Sequence, residues 1–320
     1  MSGTAVSFAP MEGITNYIFR GVFRKTFGCP DRFYSPFLSP GPVKGLSGRD
    51  LKDILPENNR GIHLIPQVLT NRSEDFLKSA ELLKSLGYDE INLNLGCPSG
   101  TVTAKGKGSG FLKYPAELER FLDAVFAECC LKISVKTRIG VESAEEFPEL
   151  LKIFNRFPLA ELIIHPRVMT DQYRNHVNLQ AFALAAEESR NPLCYNGDVR
   201  TVADYEMIRK KFSSVGHIMI GRGFLTDPNL ARKISEAENS AVNTSCGRET
   251  ENAKTAAFLE SLLTEYKKAY GSENAVLCRM KEIWFYLSQG YPGEEKQYKR
   301  IKKAKTLEEY SAASHAILKV

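Results

Sequence analysis

The 320-residue sequence predicts an α/β fold, a (β/α)8 TIM barrel with a C-terminal helical domain. Three observations carry that expectation. Short β-like runs alternate with longer helical or loop segments, which argues a parallel sheet. Eight such units fall within roughly 230 residues, which argues closure into a barrel rather than an open doubly wound sheet. Chemically suggestive residues gather where the runs end: Met11, Gln67, Asn94 with Cys97, Lys136 with Arg138, His165, Asn196, and Gly221 with Arg222. Barrels of this kind keep their active sites at the carboxyl ends of the strands.

In chain order the runs are Ala5–Pro10 (AVSFAP), Phe33–Leu38 (FYSPFL), Ile62–Leu69 (IHLIPQVL) and Glu90–Leu95 (EINLNL). Lys132–Thr137 (KISVKT), Glu161–His165 (ELIIH), Leu193–Asn196 (LCYN) and Gly216–Ile220 (GHIMI) complete the eight. Helical patterns such as Ser73–Leu86 and Pro115–Phe126 separate most of them. Beyond about Leu230 the strand pattern stops, and Ser240–Thr250 reads as a polar linker. The division expected is therefore a catalytic barrel over residues 1–240 and a helical domain over 241–320. Within the latter, Asn252–Tyr270, Asn274–Ser288 and Thr306–Leu318 read as amphipathic helices, with Gly271 and the Tyr291-Pro292-Gly293 turn between them.

Composition is that of an ordinary globular chain, 43% hydrophobic and 25% charged. The first residues lack a charged segment followed by a long apolar run, which argues against a signal peptide. No stretch approaches the ~20 apolar residues that span a bilayer. The seven cysteines are odd in number and include no C-x-x-C pair, so neither a disulfide framework nor a structural zinc site is expected, and a reducing cytoplasm fits best. Net charge is +5. Its sharpest concentration is Lys296–Lys305 (KQYKRIKKAK), six basic residues with no acidic one. Two readings of that run stand on charge alone: a solvated helix face, or a patch that tracks nucleic-acid phosphate.

The motif residues sharpen the picture. Gly221-Arg222-Gly223 follows the last run, where loops of such barrels commonly hold phosphate, and Tyr195-Asn196-Gly197-Asp198 offers a second turn with free N–H groups. Lys136 and Arg138 alternate with apolar neighbours, so both cations share one strand face. Turned inward they would stabilise an anionic ring or phosphates. His165 and Arg167 could together hold a polar ligand, and Gln67 could present an amide to a heterocycle. No H-E-x-x-H, EF-hand or Walker A pattern occurs, and no G-x-G-x-x-G directly follows a strand. No metal is expected.

Six stretches in order, APMEGITN (Ala9–Asn16), NLNLGCPSGTV (Asn92–Val102), VKTRIG (Val135–Gly140), IHPR (Ile164–Arg167), YNGD (Tyr195–Asp198) and IMIGRG (Ile218–Gly223), closely resemble the tRNA-dihydrouridine synthases. RMKEIWFYL (Arg279–Leu287) is similar to that family's helical RNA-binding domain. The resemblance implies an FMN enzyme, fuelled by NADPH, that reduces the C5–C6 bond of uridines in tRNA, usually as a monomer. It implies flavin contacts at Pro10, Met11, Glu12, Gln67, Lys136 and His165, and phosphate contacts at Asn196, Gly197, Asp198, Gly221 and Arg222. It implies that Cys97 is the proton donor and that Asn94 and Arg138 lie near the substrate base. The Gly- and Lys-rich segment after Cys97 would close over the base, with Lys105 and Lys107 meeting RNA phosphate, as would Lys299, Arg300, Lys302 and Lys303. The sequence departs from the family at Pro166 and Val168, where it usually has Gly and Thr, at Gly100, where Lys or Arg is common, and at Gln172, which falls one place late. A small-molecule flavin oxidoreductase of the dihydroorotate dehydrogenase kind, on the same barrel, is the rival reading. The basic C-terminal run separates the two, because a free pyrimidine needs no such appendage.

Overall fold

Strands that are all parallel, most of them shorter than their sequence patterns, wrap into a barrel. The computed structural model describes residues 5–28, 30–41, 45–238 and 247–320. Its strands are β1 (Ala5–Phe8), β2 (Arg32–Tyr34), β3 (Leu64–Ile65), β4 (Gln67–Val68), β5 (Glu90–Leu95), β6 (Lys132–Arg138), β7 (Leu162–His165), β8 (Leu193–Tyr195) and β9 (His217–Ile220). They pair in the order β3-β2-β1-β9-β8-β7-β6-β5-β4.

One expected run thus becomes two strands. Pro66 separates β3 from β4 because it has no N–H to give the ladder. Its carbonyl still accepts from the Asn92 amide at 2.9 Å, while the Gln67 amide turns to Ser35 Oγ at 3.0 Å. The strands at the two ends of the pairing order are therefore one stave of the barrel. Leu38 completes the seam: its amide donates to the Gln67 carbonyl at 2.7 Å, and its carbonyl accepts from Leu69 at 2.8 Å.

Side-chain alternation explains the layers. Leu162, Ile164, Ile218 and Ile220 join the large apolar cluster under the helices. Ala9, Tyr34, Ile65, Ile163, Cys194 and Met219 form a small separate cluster inside the barrel. Below it lies a polar floor, where the Glu161 carboxylate accepts from His217 Nδ1 at 2.6 Å and Tyr34 Oη at 3.2 Å, with Arg32 3.7 Å away. Glu161, Cys194 and His217 bring donor atoms within 4.8 Å of one another there.

Helices Arg248–Ala269, Glu273–Leu287 and Leu307–Leu318 correspond to the three expected at the C-terminus. They do not stand apart from the barrel. Phe258 packs against Phe19 at 5.5 Å, Phe23 at 5.7 Å and Phe27 at 5.3 Å, all on the helix Tyr17–Phe27 that follows β1. A fourth helix, Glu295–Lys303, carries the basic run. It anchors itself through buried Ile301 and leaves Lys299, Arg300, Lys302 and Lys303 exposed. The expected boundary at 240/241 lies outside the described residues, as do Cys29 and Cys246. Cys97, Cys129, Cys130, Cys194 and Cys278 are free thiols. Among the described residues no helix is long and apolar enough to cross a membrane.

The first helix is locked by a buried cation. Arg20, fully buried, pairs with Asp53 at 2.9 Å and donates to the carbonyls of Thr15 and Asp53 and to Asn59 Oδ1. Asp53→Ala leaves that guanidinium without its counter-charge, and urea unfolding should show a loss of about 3–5 kcal/mol.

Candidate active site

The carboxyl ends of the strands surround a cavity of about 770 Å3, open solvent included, a size suited to a cofactor or nucleotide. Its lining includes Pro10, Met11, Gly96, Lys136, Arg138 and His165. Asn196, Gly197, Asp198, Arg200, Gly221 and Arg222 complete the side near the last two strands. Ten of the residues singled out from sequence therefore meet at one place. Tyr173 and Tyr286 close the rim, the second from the C-terminal helix Glu273–Leu287.

Each turn is held by its own chemistry. Beyond β1, the Met11 amide donates to Thr15 Oγ1 at 2.9 Å and the Met11 carbonyl accepts the Thr15 amide at 3.0 Å. A Cβ on Gly221 would come within 3.2 Å of Ala9 Cβ and Met11 Sδ, so its bare backbone leaves the pocket open. A Cβ on Gly223 would lie 2.3 Å from the Val199 carbonyl, which explains the second glycine. Asn196 Nδ2 donates to the Met219 carbonyl at 2.8 Å, binding the turn after β8 to β9.

Asp198, in the left-handed region at φ 44°, braces two arginines. It accepts both terminal nitrogens of Arg167 and Arg222 Nη2, the latter at 2.6 Å. Its carboxylate is thereby committed to cations, leaving the turn's N–H groups and Arg222 as the anion-facing part. His165 Nδ1 lies 2.7 Å from the Asn196 carbonyl, which can only accept, so the proton sits on Nδ1. Nε2 then accepts from Arg167 Nη1 at 3.3 Å. Burial, helped by Arg138 and Lys136, holds this imidazole well below its ordinary pKa and therefore neutral.

The lining carries four cations, Lys136, Arg138, Arg200 and Arg222, against the single carboxylate of Asp198. Lys136 has no hydrogen-bond or ion-pair partner among the described residues. Burial and the neighbouring Arg138 push its pKa down to about 8. Such a collection fits an anionic ligand, because a half-buried, unpaired ammonium is costly until a counter-charge arrives.

Below the rim runs a polar chain. Asn92 donates to Ser134 Oγ at 2.9 Å, Gln67 to Asn92 Oδ1 at 2.8 Å, and Asn94 to Gln67 Oε1 at 2.6 Å. Asn94 Oδ1 in turn accepts the amides of Gly96 and Cys97, at 3.0 and 2.9 Å. Gln67 and Asn94 thus brace the Cys97 loop and do not line the cavity. Arg138, only 1% exposed, donates to the carbonyls of Gly96 at 2.9 Å, Val168 at 2.9 Å and Gln172 at 2.8 Å. The unusual Val168 therefore contributes a main-chain group here, and Pro166 likewise accepts from the Asn178 amide at 2.7 Å.

Cys97 is half-buried, one residue beyond the lining Gly96. Burial raises its pKa, opposed by the Ser99 amide and assisted by Glu12, so the group is a thiol at neutral pH. Glu12 itself is exposed and faces a neighbouring cavity with Arg49, Tyr17, Tyr270 and Arg279. The glycines after Cys97 pack closely. A Cβ on Gly108 would lie 2.8 Å from the Cys97 carbonyl, and one on Gly110 2.7 Å from that of Thr103. Ser109 Oγ donates to the Cys97 carbonyl at 2.8 Å. Lys105 is exposed and Lys107 half-buried on this loop.

Sequence reasoning did not single out Arg200 or Tyr286. Arg200 follows Asn-Gly-Asp by two positions, which was an available signal; Tyr286 had none beyond its place in RMKEIWFYL. Gly223→Ala should disrupt the packing of the two turns and lower stability by ~1–3 kcal/mol in chemical denaturation.

The dihydrouridine synthase family model matches residues 7–319. A tRNA-dihydrouridine(16) synthase of Cupriavidus necator is 32% identical over 233 residues, 71% of this chain and 72% of that protein. The tRNA-dihydrouridine synthase B of Pasteurella multocida is 25% identical over 286 residues, 88% of this chain and 83% of the relative. Among solved structures, a histamine dehydrogenase from Rhizobium shares the fold with a TM-score of 0.55 at 11% identity, over 80% of this chain and 49% of that one. With the family matched along nearly its whole length, and the strand-end motifs gathered at one cavity, the chain belongs to the dihydrouridine synthases and is a flavin-dependent oxidoreductase.

Proposed function

We propose that this enzyme is an FMN-dependent tRNA-dihydrouridine synthase that reduces uridines at C5–C6, with Cys97 as proton donor. The observation that carries the reading is a protonated thiol on the residue next to Gly96, which lines a cation-rich, anion-seeking cavity. FMN fits that cavity by charge and by the bare backbone at Gly221. Arg222 and the N–H groups of the Asn196–Asp198 turn would hold its phosphate, and Pro10, Met11, Lys136 and His165 its ring system. Bound there and reduced by NADPH, FMN would be the source of the hydride that uracil C6 requires.

The chain's own residues do the rest. Cys97 gives its S–H proton to C5, and the thiolate recovers a proton from water. Burial serves this role, because a thiol with a raised pKa keeps its proton at neutral pH until the adjacent carbon gains electron density. Arg138 and Asn94 position the thiol by fixing the peptide group that precedes it, at the Gly96 carbonyl and the Cys97 amide. The target base must leave its stack to arrive there. Lys105, Lys107 and the exposed face of Glu295–Lys303 hold RNA phosphate, with residues 1–240 as the catalytic barrel and 241–320 as the RNA-binding domain. The enzyme works in the cytoplasm as a monomer. That exposed basic helix favours RNA over a free pyrimidine as substrate.

Purified protein with NADPH should form dihydrouridine in tRNA taken from cells that lack it, read by mass spectrometry. Free uracil or dihydroorotate turning over in its place would reject the assignment. Cys97→Ala should retain FMN by absorbance yet lose about 10²–10⁴-fold in dihydrouridine formation.

Lys136 gives the flavin site a pH dependence. Its pKa of about 8 lies below the ordinary 10.5, so between those values the unfolded chain binds more protons than the fold, and apo-protein stability rises with pH. FMN favours the charged form, so above about pH 8 binding must take up a proton and affinity falls as pH rises. Isothermal titration should show that decline in the native protein and a flatter profile in Lys136→Met.

A further inference from the structure

Among the described residues, Phe285 and Tyr173 are the two most exposed aromatic side chains, at 57% and 54%. Tyr173 sits at the rim of the cavity, and Phe285 adjoins Tyr286, which also lines it. Tyr173 lines it directly, beneath the Arg222 guanidinium at 4.7 Å and beside Arg138 at 5.3 Å. Phe285 stands edge-on to Tyr286, with ring centres 5.0 Å apart and planes at 90°, and Tyr286 lines the same cavity. Burial raises the Tyr286 pKa, Tyr173 raises it further and Arg222 lowers it. Phe285 thus leads, through Tyr286, to the cavity that Tyr286 and Tyr173 both line, where the Arg222 guanidinium lies over Tyr173.

Packing does not account for Phe285. Its helix buries Val276, Leu277, Met280, Ile283, Trp284 and Leu287, which fill the core without it. A large apolar ring in water is unfavourable unless something covers it. The occupant indicated is a flat, π-bearing group joined to anionic linkages. The neighbouring cations and the basic helix select for that chemistry. The two helices are tied together at that helix's end, where the Ala304 carbonyl accepts from Lys281 Nζ, on the Phe285 helix, at 2.6 Å.

We propose that Phe285 is a base-stacking residue: its ring receives the nucleobase that flanks the uridine entering the cavity, with Tyr286 between the two. Turning a uridine out of its stack leaves the flanking base without a neighbour. A ring beside Tyr286 replaces the lost stacking and holds the strand open, without reading sequence. The inference rests on the tRNA reading above.

The test compares Phe285→Ala, Phe285→Leu and Phe285→Trp in the full, flavin-loaded chain, using tRNA from cells that lack the enzyme. The Ala and Leu variants should raise KM for tRNA about tenfold, more than they lower kcat, because stacking is lost in both. The Phe285→Trp variant should restore KM, and its added indole emission should be quenched by tRNA, while buried Trp284 contributes a constant background. Equal FMN content and melting temperature would show that the fold is intact, as the exposure of Phe285 implies. With native enzyme active, three outcomes would each overturn the stacking role alone: an unchanged KM in the Ala variant, rescue by Leu equal to that by the indole, or emission from Phe285→Trp that tRNA leaves unquenched. A native enzyme that makes no dihydrouridine in this tRNA would overturn the functional reading, and the platform with it.

Discussion

A buried guanidinium holds the mouth of this barrel together. Arg138 spends its donors on three main-chain carbonyls from two separate loops, those of Gly96, Val168 and Gln172. One loop carries the thiol and the other the rim aromatic Tyr173. A lysine in its place would offer a single compact charge without the fork needed to reach all three. Carbonyl partners also leave the cation's formal charge uncancelled, so it adds to the positive field that the cavity presents to an anion. The same side chain thereby fixes geometry and sets electrostatics.

That field explains neighbouring features that otherwise look unrelated. Lys136 is depressed toward neutrality and His165 is held neutral, both because burial and nearby positive charge oppose further protonation. Asp198 is the one carboxylate in the lining, and it is drawn away from the cavity's ligand face by Arg167 and Arg222. At Cys97 burial outweighs the pull of Arg138 and Lys136, and the proton stays on sulfur.

The glycine-rich stretch after Cys97 has a packing role that its sequence alone does not show. Glycines there suggest a lid that flexes over the base. The structure gives Gly108 and Gly110 a packing role, with no room for a Cβ against the Cys97 and Thr103 carbonyls. The loop is a tight support beneath the thiol. Pro66 is a similar case: a single strand pattern is broken in two because proline withholds its amide, and Ser35 supplies the substitute bond. The fourth C-terminal helix, too, was visible only as charge, since its buried side is reduced to Ile301 between Arg300 and Lys302.

The sequence by itself determined the strand–helix alternation, the barrel, and the motifs at the strand ends, because those depend on local periodicity and on residue types that few chemistries share. It also named most of the residues that meet in the cavity, since a parallel barrel necessarily delivers its strand ends to one face. Only the tertiary structure decided what each side chain is occupied with. Gln67 and Asn94 became braces rather than cavity walls, Glu12 turned to a neighbouring cavity, and Tyr286 arrived from a helix far beyond the last strand. Those outcomes depend on hydrogen-bond partners and packing across distant segments, which leave no periodic trace along the chain.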